Sequence, residues 1–259
     1  MTAESRASTA APCELLDWDS RHFGFPIARV AGYALDAERA RAIDEWCGDR
    51  GVRCAYLLAD AEDDETARIA EQHNYRRVDE RVTVRRSMEG VEKLALGGPE
   101  EMEIREATER ELDSLRDLAS RSHEGSRFYV DPGFPRERSD ALYAAWVERG
   151  LRHPDHGLLV AMVGAEPAGY MAYSRRIFDG EGRGELGAVD ERHRGQGIGR
   201  ALHVAMLRRL RRRGAVTHRG ILSGSNGPIL RLHDRLGFWR DATEVWHHKW
   251  FGGAREDAR

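Results

Sequence analysis

The chain has 259 residues, with 41 Lys and Arg, 44 Asp and Glu, and a formal net charge of −3. Because the charges nearly balance, the chain has no overall electrostatic field that would attract nucleic acid or a membrane surface. The length suits one large or two modest domains, and we expect two. Residues 1–12 carry Glu4 and Arg6 without an apolar core, so we expect a disordered tail, no signal peptide and a cytoplasmic protein.

Three cysteines, Cys13, Cys47 and Cys54, are odd in number and have no Cys-x-x-Cys spacing. This pattern argues against a disulfide framework and against a zinc site. We therefore expect each cysteine to pack as a small apolar side chain, and we predict no metal site.

Residues 13–95 predict a smaller N-terminal α/β domain. The predicted elements are two strands within 13–30 around a turn at Gly24, a helix capped by Asp36, a strand at 52–58, a helix at 64–73 and a strand at 76–86. A linker follows at 89–101, where Gly90, Gly97, Gly98 and Pro99 accompany charges without a period.

Residues 100–252 predict a second α/β (α+β) domain. Its predicted elements are a strand at 102–105, a helix with Leu112, Leu115 and Leu118, a loop at 126–132, a helix at 136–151, an antiparallel hairpin of 158–163 and 168–173, a strand at 184–189, a helix from 198, and strands at 217–223 and 243–250. In the helix from 198, apolar residues recur every four positions from Ile198 to Leu210. Arginines at 208–213 are expected to form a solvated face, the alternative being contact with a phosphate.

A glycine-rich turn joins the predicted strand at 184–189 to this helix. Gly195, Gly197 and Gly199 would direct several backbone N–H groups to one point, where the helix dipole favours an anion. The stretch lacks the Gly-Lys-Ser/Thr ending of a P-loop and the spacing of a dinucleotide fingerprint. It predicts a phosphate cradle, although a structural helix entry would have the same composition.

The pattern Arg194-x-x-Gly197-x-Gly199, the element order after residue 102 and the segment 226–238 together resemble the GNAT-type N-acetyltransferase superfamily. The resemblance implies a mixed, mostly antiparallel sheet, acetyl-CoA as co-substrate and a strand bearing Ala188 and Val189 that splays from its neighbour. The implied acetyl-CoA contacts are Ala188, Val189, Arg194, Gly195, Gln196, Gly197, Ile198, Gly199, Arg200 and Asn226. For Asn226 a helix N-cap is the alternative role.

The segment 16–26 and the tripeptide Ser126-Arg127-Phe128 resemble the TDP-fucosamine acetyltransferase group, which acetylates the amine of a dTDP-4-amino-4,6-dideoxy sugar. This narrower resemblance implies substrate contacts by Trp18, Asp19, Phe23 and Phe128. The alternative is that the N-terminal domain only packs and that its aromatic residues belong to the core.

Two residues are candidates for proton transfer. His233 stands where the superfamily pattern has the tyrosine that protonates the departing thiolate, so it is the candidate acid, or else it only fills the tyrosine's volume. Glu185, on the strand before the glycine-rich turn, is the candidate base, acting through a water, or else a charged residue at a strand edge.

These patterns predict an acetyl-CoA-dependent N-acetyltransferase for a nucleotide-linked amino-deoxy sugar. Acetylation of another small amine or of a protein N-terminus is the alternative within enzymes, and a non-catalytic acyl-CoA-binding module is the alternative outside them. The expected partners are acetyl-CoA and a small-molecule amine, with no nucleic acid and no membrane. Exposed last-strand pairing allows a homodimer.

Overall fold

The computed structural model describes residues 11–252. Residues 1–10 of the predicted disordered tail lie outside the described residues. The described chain divides into two compact units. The first contains the residues up to Val78 and those from Glu244 onward, and the second runs from Asp79 to Thr243.

The first unit is an α/β sheet with helices between its strands. Its elements are β1 (Cys13–Leu15), α1 (Asp17–Phe23), β2 (Ile27–Val30), α2 (Ala37–Asp49), β3 (Cys54–Asp60), α3 (Asp64–Gln72), the start of β4 (Arg76–Ser87) and the end of β10 (Trp239–Trp250). Strand β2 pairs antiparallel with β1 and parallel with β3, and β3 pairs antiparallel with β10. Ile43 of α2 and Ile69 of α3 belong to the same buried cluster as Leu57 of β3.

Helix α1 corrects the predicted strand and turn at residues 13–30. It begins at Asp17 and ends at Gly24, whose φ of 83° is left-handed and whose N–H donates to the Ser20 carbonyl at 2.9 Å. Acidic residues in its first turn and basic residues in its last turn complement the helix dipole. The first unit therefore alternates strand and helix throughout. The predicted cap of α2 is confirmed, because Asp36 accepts the Arg39 N–H at 2.8 Å.

The second unit places its helices around a mostly antiparallel sheet. Its elements are the rest of β4, β5 (Met102–Glu106), α4 (Leu112–Ser120), α5 (Arg127–Val130), α6 (Arg136–Arg152), β6 (His156–Val163), β7 (Glu166–Ser174), β8 (Glu181–Val189), α7 (Ile198–Arg212), β9 (Thr217–Ser223), α8 (Gly227–Arg235) and the start of β10. The strand order is β4-β9-β8-β7-β6-β5, and only the β8–β9 pair is parallel. The predicted mixed, mostly antiparallel sheet is confirmed. Helix α5 lies within the predicted loop at 126–132.

Helix α7 is the most buried helix of this unit. The predicted face is buried from Ile198 to Leu210, as expected from the four-residue period. Val204 and Leu207 are buried as well, so the helix contacts the unit on more than one face. This fixes the position of its first turn, which carries the glycine-rich stretch.

The arginines at the end of α7 are only partly solvated. The Arg208 guanidinium donates to the Glu92 and Leu94 carbonyls at 3.1 and 2.7 Å, and Arg213 Nε donates to the Arg175 carbonyl at 3.1 Å. The predicted solvated face is therefore confirmed at Arg211, Arg212 and Arg213, which are exposed, and is wrong at Arg208. Arg208 is half-buried because main-chain carbonyls lie within reach of its guanidinium.

The predicted linker at 89–101 is a packed segment. It contains a 3-10 turn at Val91–Lys93, and Val91 is fully buried with Met88 in the core of the second unit. The division into compact units accordingly falls elsewhere than at this segment. Residues from Glu244 to Trp250 pair with β3, whereas residues from Arg81 to Ser87 pair with β9.

Candidate active site

The glycine-rich turn between β8 and α7 has the shape needed to bind an anion. After Val189 the chain forms a 3-10 turn at Glu191–His193 and then reaches Gly195 and Gly197, whose φ values are 80° and 85°. These left-handed conformations strain any residue with a Cβ atom. Helix α7 begins immediately afterwards at Ile198.

The backbone amides of this turn are available to a ligand. From Gly195 to Arg200 the N–H groups donate no hydrogen bond within the described part of the chain. Residues 194–197 are exposed. Unpaired amides at the positive end of a fifteen-residue helix form an anion site. The predicted phosphate cradle therefore has the geometry to bind a diphosphate.

Glycine is also required at position 197 because the main chain of another segment lies close to it. A Cβ atom on it would lie 3.0 Å from the backbone nitrogen of Gly98. Gly98 comes from the segment predicted to be a linker, which thus packs directly against the turn. A side chain at position 197 would be strained by its φ and would collide with main chain.

The side chains around the turn help to fix it. Arg194 Nε donates to the carbonyl of Val189 at 3.3 Å, and Gln196 Nε2 donates to the carbonyl of Arg192 at 3.5 Å. Arg200 is half-buried, with its Cδ 3.6 Å from the position of a Cβ on Gly97. The turn is therefore held by its own side chains while its amides stay open.

Asp190 anchors the start of the turn. Its buried carboxylate accepts from Arg192 Nε at 3.1 Å and from the Arg121 guanidinium at 2.8 Å. These two arginines hold the pKa of Asp190 well below its usual range. Sequence reasoning missed Arg121, since it lies far from Asp190 along the chain and belongs to no motif.

Strands β8 and β9 separate beside the turn. They pair only from Glu181 with Thr217 to Arg183 with Arg219, although both strands continue. The Gly184 N–H donates instead to the imidazole Nε2 of His218 at 3.0 Å. Ala188 and Val189 therefore pair with β7 on one side and leave the side toward β9 open, which is the splay that the resemblance implies.

A β-bulge lies on β8 within this opening. The pairing of β7 with β8 passes from Met171–Gly187 to Tyr173–Gly184, so two steps on β7 face three on β8. The extra residue falls at Glu185 and Leu186. Bulges are common beside active sites because they redirect a side chain.

The bulge brings Glu185 to a buried histidine. Glu185 Oε2 lies 2.8 Å from His156 Nδ1, and His156 Nε2 lies 3.0 Å from the guanidinium of Arg149. Because a guanidinium only donates, Nε2 accepts and Nδ1–H donates to the carboxylate. The imidazole thus holds in place a carboxylate whose side chain remains 34% exposed. Neither His156 nor Arg149 was identified from the sequence.

His233 lies in a buried aromatic group. It is 2% exposed, and its ring packs against those of His203 at 4.9 Å and Phe238 at 4.4 Å. Its Nδ1 is 2.9 Å from the Ile229 carbonyl, so Nδ1 carries the proton and Nε2 of the neutral ring has none to give. Burial lowers the pKa of His233. This geometry favours the volume-filling alternative over the general acid.

Two further histidines share this buried region. His203 Nδ1 donates to the carbonyl of Gly199 at 2.7 Å, and His218 accepts from Gly184. Burial lowers the pKa of each to about 3. The three rings of His203, His218 and His233 form what we term the histidine cluster, and all three are neutral at physiological pH.

Asn226 has the structural role that was weighed for it. Its side-chain oxygen accepts the Ile229 N–H at 3.2 Å, which makes it the N-cap of α8. The side chain is nevertheless exposed, at the end of β9 that faces the splay. A contact with the acetyl-CoA arm stays a prediction.

The segment after α4 contributes polar residues that the sequence did not indicate. His123 Nε2 lies 2.9 Å from the hydroxyl of Tyr170, and Tyr170 pairs with Ala188 in the sheet. Burial lowers the pKa of His123 to about 4.

A buried carboxyl group lies on the β9 side of the site. Ser223 Oγ donates to Asp79 at 2.6 Å, and burial raises the pKa of Asp79.

The predicted substrate contacts differ in exposure. Phe23 and Phe128 are each only 4% exposed and pack within their respective units. Asp19 is half-buried. Trp18 is 44% exposed and stacks on His22 at a centroid distance of 5.0 Å. Of the three aromatic candidates, Trp18 presents the largest surface to a ligand.

The three cysteines are buried thiols, as expected for small apolar packing residues. Within residues 11–252, no group of three or more His, Cys, Asp or Glu side chains is arranged to hold a metal ion. Over the same range, no helix combines the length and the apolar composition needed to cross a bilayer.

Comparison with known proteins agrees with the geometry of the second unit. Residues 112–238 match the model of the Acetyltransferase (GNAT) family, a segment just under half of the chain. This segment contains the glycine-rich turn, the splayed strands and α8. The family match and the topology agree in giving the second unit a GNAT-like fold.

Similar individual proteins include one with a named biosynthetic role. The spore coat polysaccharide biosynthesis protein SpsD of Bacillus subtilis is 26% identical over 145 residues, or 55% of this chain and 48% of SpsD. The chain thus matches about half the length of this curated relative.

Two solved structures resemble most of the chain. A conserved protein of unknown function from Staphylococcus epidermidis gives a TM-score of 0.70 at 11% identity, over 95% of this chain and 94% of that one. A GCN5-related N-acetyltransferase from Sphaerobacter thermophilus gives 0.64 at 18% identity, over 92% and 76%. At these identities the likeness concerns the fold.

Proposed function

We propose that the protein is an acetyl-CoA-dependent N-acetyltransferase whose acceptor is the amine of a nucleotide-linked amino-deoxy sugar. The observation that carries the proposal is the row of unpaired amides from Gly195 to Arg200 at the start of α7. It opens beside two separating strands. A diphosphate fits the first feature, and an extended acyl arm with amide groups fits the second.

In this proposal the pantetheine arm adds to the free edge of β8. The backbone groups of Val189, which point away from β7, pair with its amides, and Ala188 holds the strand to β7. Asn226, at the start of α8, contacts the arm from the opposite side of the opening. Main-chain pairing of this kind holds the thioester in a defined register beside the bulge. Positioning alone supplies several kcal/mol of the barrier, up to roughly 7–11 in well-oriented intramolecular models.

Acetyl transfer then needs one proton removed and one supplied. The lone pair of the neutral amine attacks the thioester carbonyl carbon, the C–S bond breaks and CoA leaves as a thiolate. We assign Glu185 as the base that takes the amine proton through a water. His156 supports this assignment, because its Nδ1–H fixes the orientation of the carboxylate.

The thiolate proton comes from water in this proposal. His233 was the predicted donor, but the Nδ1–H of its neutral ring donates a hydrogen bond to the Ile229 carbonyl, and burial lowers the pKa of the ring. A side chain that is 2% exposed fills the volume of the superfamily tyrosine.

The sugar acceptor is the finer part of the proposal. It is supported by the printed role of SpsD in polysaccharide biosynthesis and by the exposed Trp18, whose ring offers a face to a nucleobase or a sugar. Another small amine or a protein N-terminus is the second candidate acceptor.

Calorimetry with acetyl-CoA tests the cofactor site. Gly197→Ala is expected to abolish the binding heat, because the new Cβ atom meets the main chain of Gly98 in a strained conformation. Gly214→Ala is the matched control: Gly214 follows the other end of α7 with a φ of 97° and open space around its Cβ position. Wild-type protein that gives no heat with acetyl-CoA contradicts the proposal.

A panel of amines tests the acceptor. Release of free CoA is measured with dTDP-amino sugars, simple amines, amino acids and peptides. Turnover that is largest with a dTDP-amino sugar supports the proposal, and turnover confined to the others replaces the acceptor class. Tight acetyl-CoA binding without turnover on any acceptor indicates a non-catalytic binding module.

A further inference from the structure

The parallel pairing of β8 with β9 ends at a side chain. After Arg183 the next N–H group of β8, that of Gly184, donates to His218 Nε2 at 3.0 Å. His218 itself belongs to β9 and pairs with Gly182 in the sheet. Its imidazole therefore occupies the hydrogen bond that an extended ladder would give to a backbone carbonyl.

Glycines on both strands make room for this ring. A Cβ atom on Gly184 would lie 3.2 Å from His218 Nε2, and one on Gly220 would lie 3.5 Å from His218 Cε1. The Cβ atom on Gly184 would also lie 3.0 Å from Met206 Sδ, so a larger residue at 184 presses on both the imidazole and Met206. The ring thus sits between two facing strands at the point where they part.

The tautomer of the His218 ring follows from its contact with Gly184. Because Nε2 accepts the Gly184 N–H, the proton of the neutral imidazole is on Nδ1. That Nδ1 is buried and has no hydrogen-bond partner among the described residues. His203 and His233, which donate their own Nδ1–H groups to carbonyls, leave their Nε2 atoms unprotonated in the same cluster.

We propose that His218 is the wedge that holds β8 and β9 apart and so sets the inner end of the slot for the acyl-pantetheine arm. The inference rests on the proposed function and deepens it, because it assigns a positioning residue to the cofactor site. The geometric basis is the exchange of one backbone partner for a buried side chain. When the imidazole is removed, the Gly184 N–H is released to pair with β9, and the slot narrows from its inner end.

The test compares two substitutions of the same residue. His218→Leu keeps the volume but removes the acceptor, and we expect the Kd for acetyl-CoA and its KM to rise about 10- to 100-fold, the range for an unmet buried hydrogen bond. His218→Gln places an amide oxygen near the position of Nε2, so binding should return to within about threefold of wild type. At saturating acetyl-CoA, kcat should change little, because the residue positions the cofactor without touching the transferred proton.

A control and a second variant keep the test decisive. His247→Leu introduces the same change at another buried histidine, in the first unit, and should leave acetyl-CoA binding unchanged. Gly184→Ala leaves the imidazole in place chemically but crowds both it and Met206, so it should weaken acetyl-CoA binding as His218→Leu does, and it answers the question if His218→Leu does not fold.

The outcomes separate this inference from the proposed function. Wild-type protein that does not bind acetyl-CoA contradicts the proposed function. If wild type binds, equal affinity of folded His218→Leu or folded Gly184→Ala overturns the wedge. Equal weakening by the Leu and Gln substitutions also overturns it, since the acceptor atom would then be irrelevant.

Discussion

The histidine cluster lies on one side of the bulge of β8 and the single residue His156 lies on the other. The ring nitrogens on the two sides contact different kinds of partner. In the histidine cluster, contributed by α7, β9 and α8, the described partners are backbone groups at Gly199, Gly184 and Ile229. On the side of α6 and β6, His156 instead joins a carboxylate to a guanidinium. An imidazole between backbone groups fixes main chain, whereas one between charges orients a reactive group. The difference favours a structural role for the histidine cluster and, in the proposed mechanism, an orienting role for His156.

The largest expected effect on turnover comes from removing the charge of Glu185, the carboxylate that contacts His156. Glu185→Gln removes the base but keeps an acceptor for His156, so kcat should fall by ~10²–10⁴, the range for general acid–base catalysis. Calorimetry should give an unchanged Kd for acetyl-CoA, because in the proposed mechanism Glu185 acts on the amine and makes no contact with acetyl-CoA. A variant with wild-type kcat shows that Glu185 is only a charged residue beside the sheet edge.

His156 provides a graded version of that test. His156→Leu removes the donor to Glu185 and should lower kcat/KM for the amine about 10- to 100-fold, the effect of losing a hydrogen bond to a charged group. His156→Asn places an N–H near the position of Nδ1 and should recover most of the rate. A pH–rate profile that is identical in wild type and His156→Leu argues against a link between the two residues.

Because the histidine cluster is buried and neutral, the free energy of unfolding should decrease at acid pH. Burial holds the pKa of His203 and of His218 at about 3, below the value near ~6.5 in an unfolded chain. Between these values the unfolded state binds more protons, so stability falls as the pH falls from about 6.5 toward 3. Each histidine contributes a slope of about 1.4 kcal/mol per pH unit.

Urea unfolding at several pH values measures this slope. His203→Gln removes one titrating ring, so the decrease from pH 7 to pH 5 should be shallower than in wild type. A variant with the same pH dependence as wild type indicates that His203 titrates at its ordinary pKa in the folded protein.

The smallest effect on turnover is expected at His233. His233→Phe preserves a buried ring beside Phe238, so kcat should stay within about threefold of wild type if water protonates the thiolate. If His233 is the acid, kcat falls by ~10²–10⁴ while the KM for acetyl-CoA changes little. The second result would give His233 a chemical role in place of a structural one.

The second unit was predicted most accurately where a regular pattern of apolar residues extends over a long element. The face of α7 from Ile198 to Leu210 and the hairpin of β6 and β7 were both confirmed. Errors fell on short elements with weak periods, such as α1 and α5. The packed segment around Val91 was mistaken for a linker, because its glycines suggest a loop but do not reveal tertiary contacts.

The candidate site divides in the same way. The glycine-rich turn was visible because its residues are consecutive and their backbone conformation is local. Arg121, Arg149 and His156 were not, because each reaches its partner from a distant part of the chain. No spacing within the sequence predicts which side chain will meet a bulged strand.

The family resemblance implied the mostly antiparallel sheet and the splay of β8. The sequence by itself determined most of the order of the elements and the location of the glycine-rich turn. These depend on local conformational preferences and on the alternation of apolar residues along each element. Only the tertiary structure decided the protonation of the histidines and the side-chain contacts at the point where β8 and β9 part. A ring nitrogen takes or loses its proton according to the atoms that packing brings to it, and those atoms belong to residues far away in the chain.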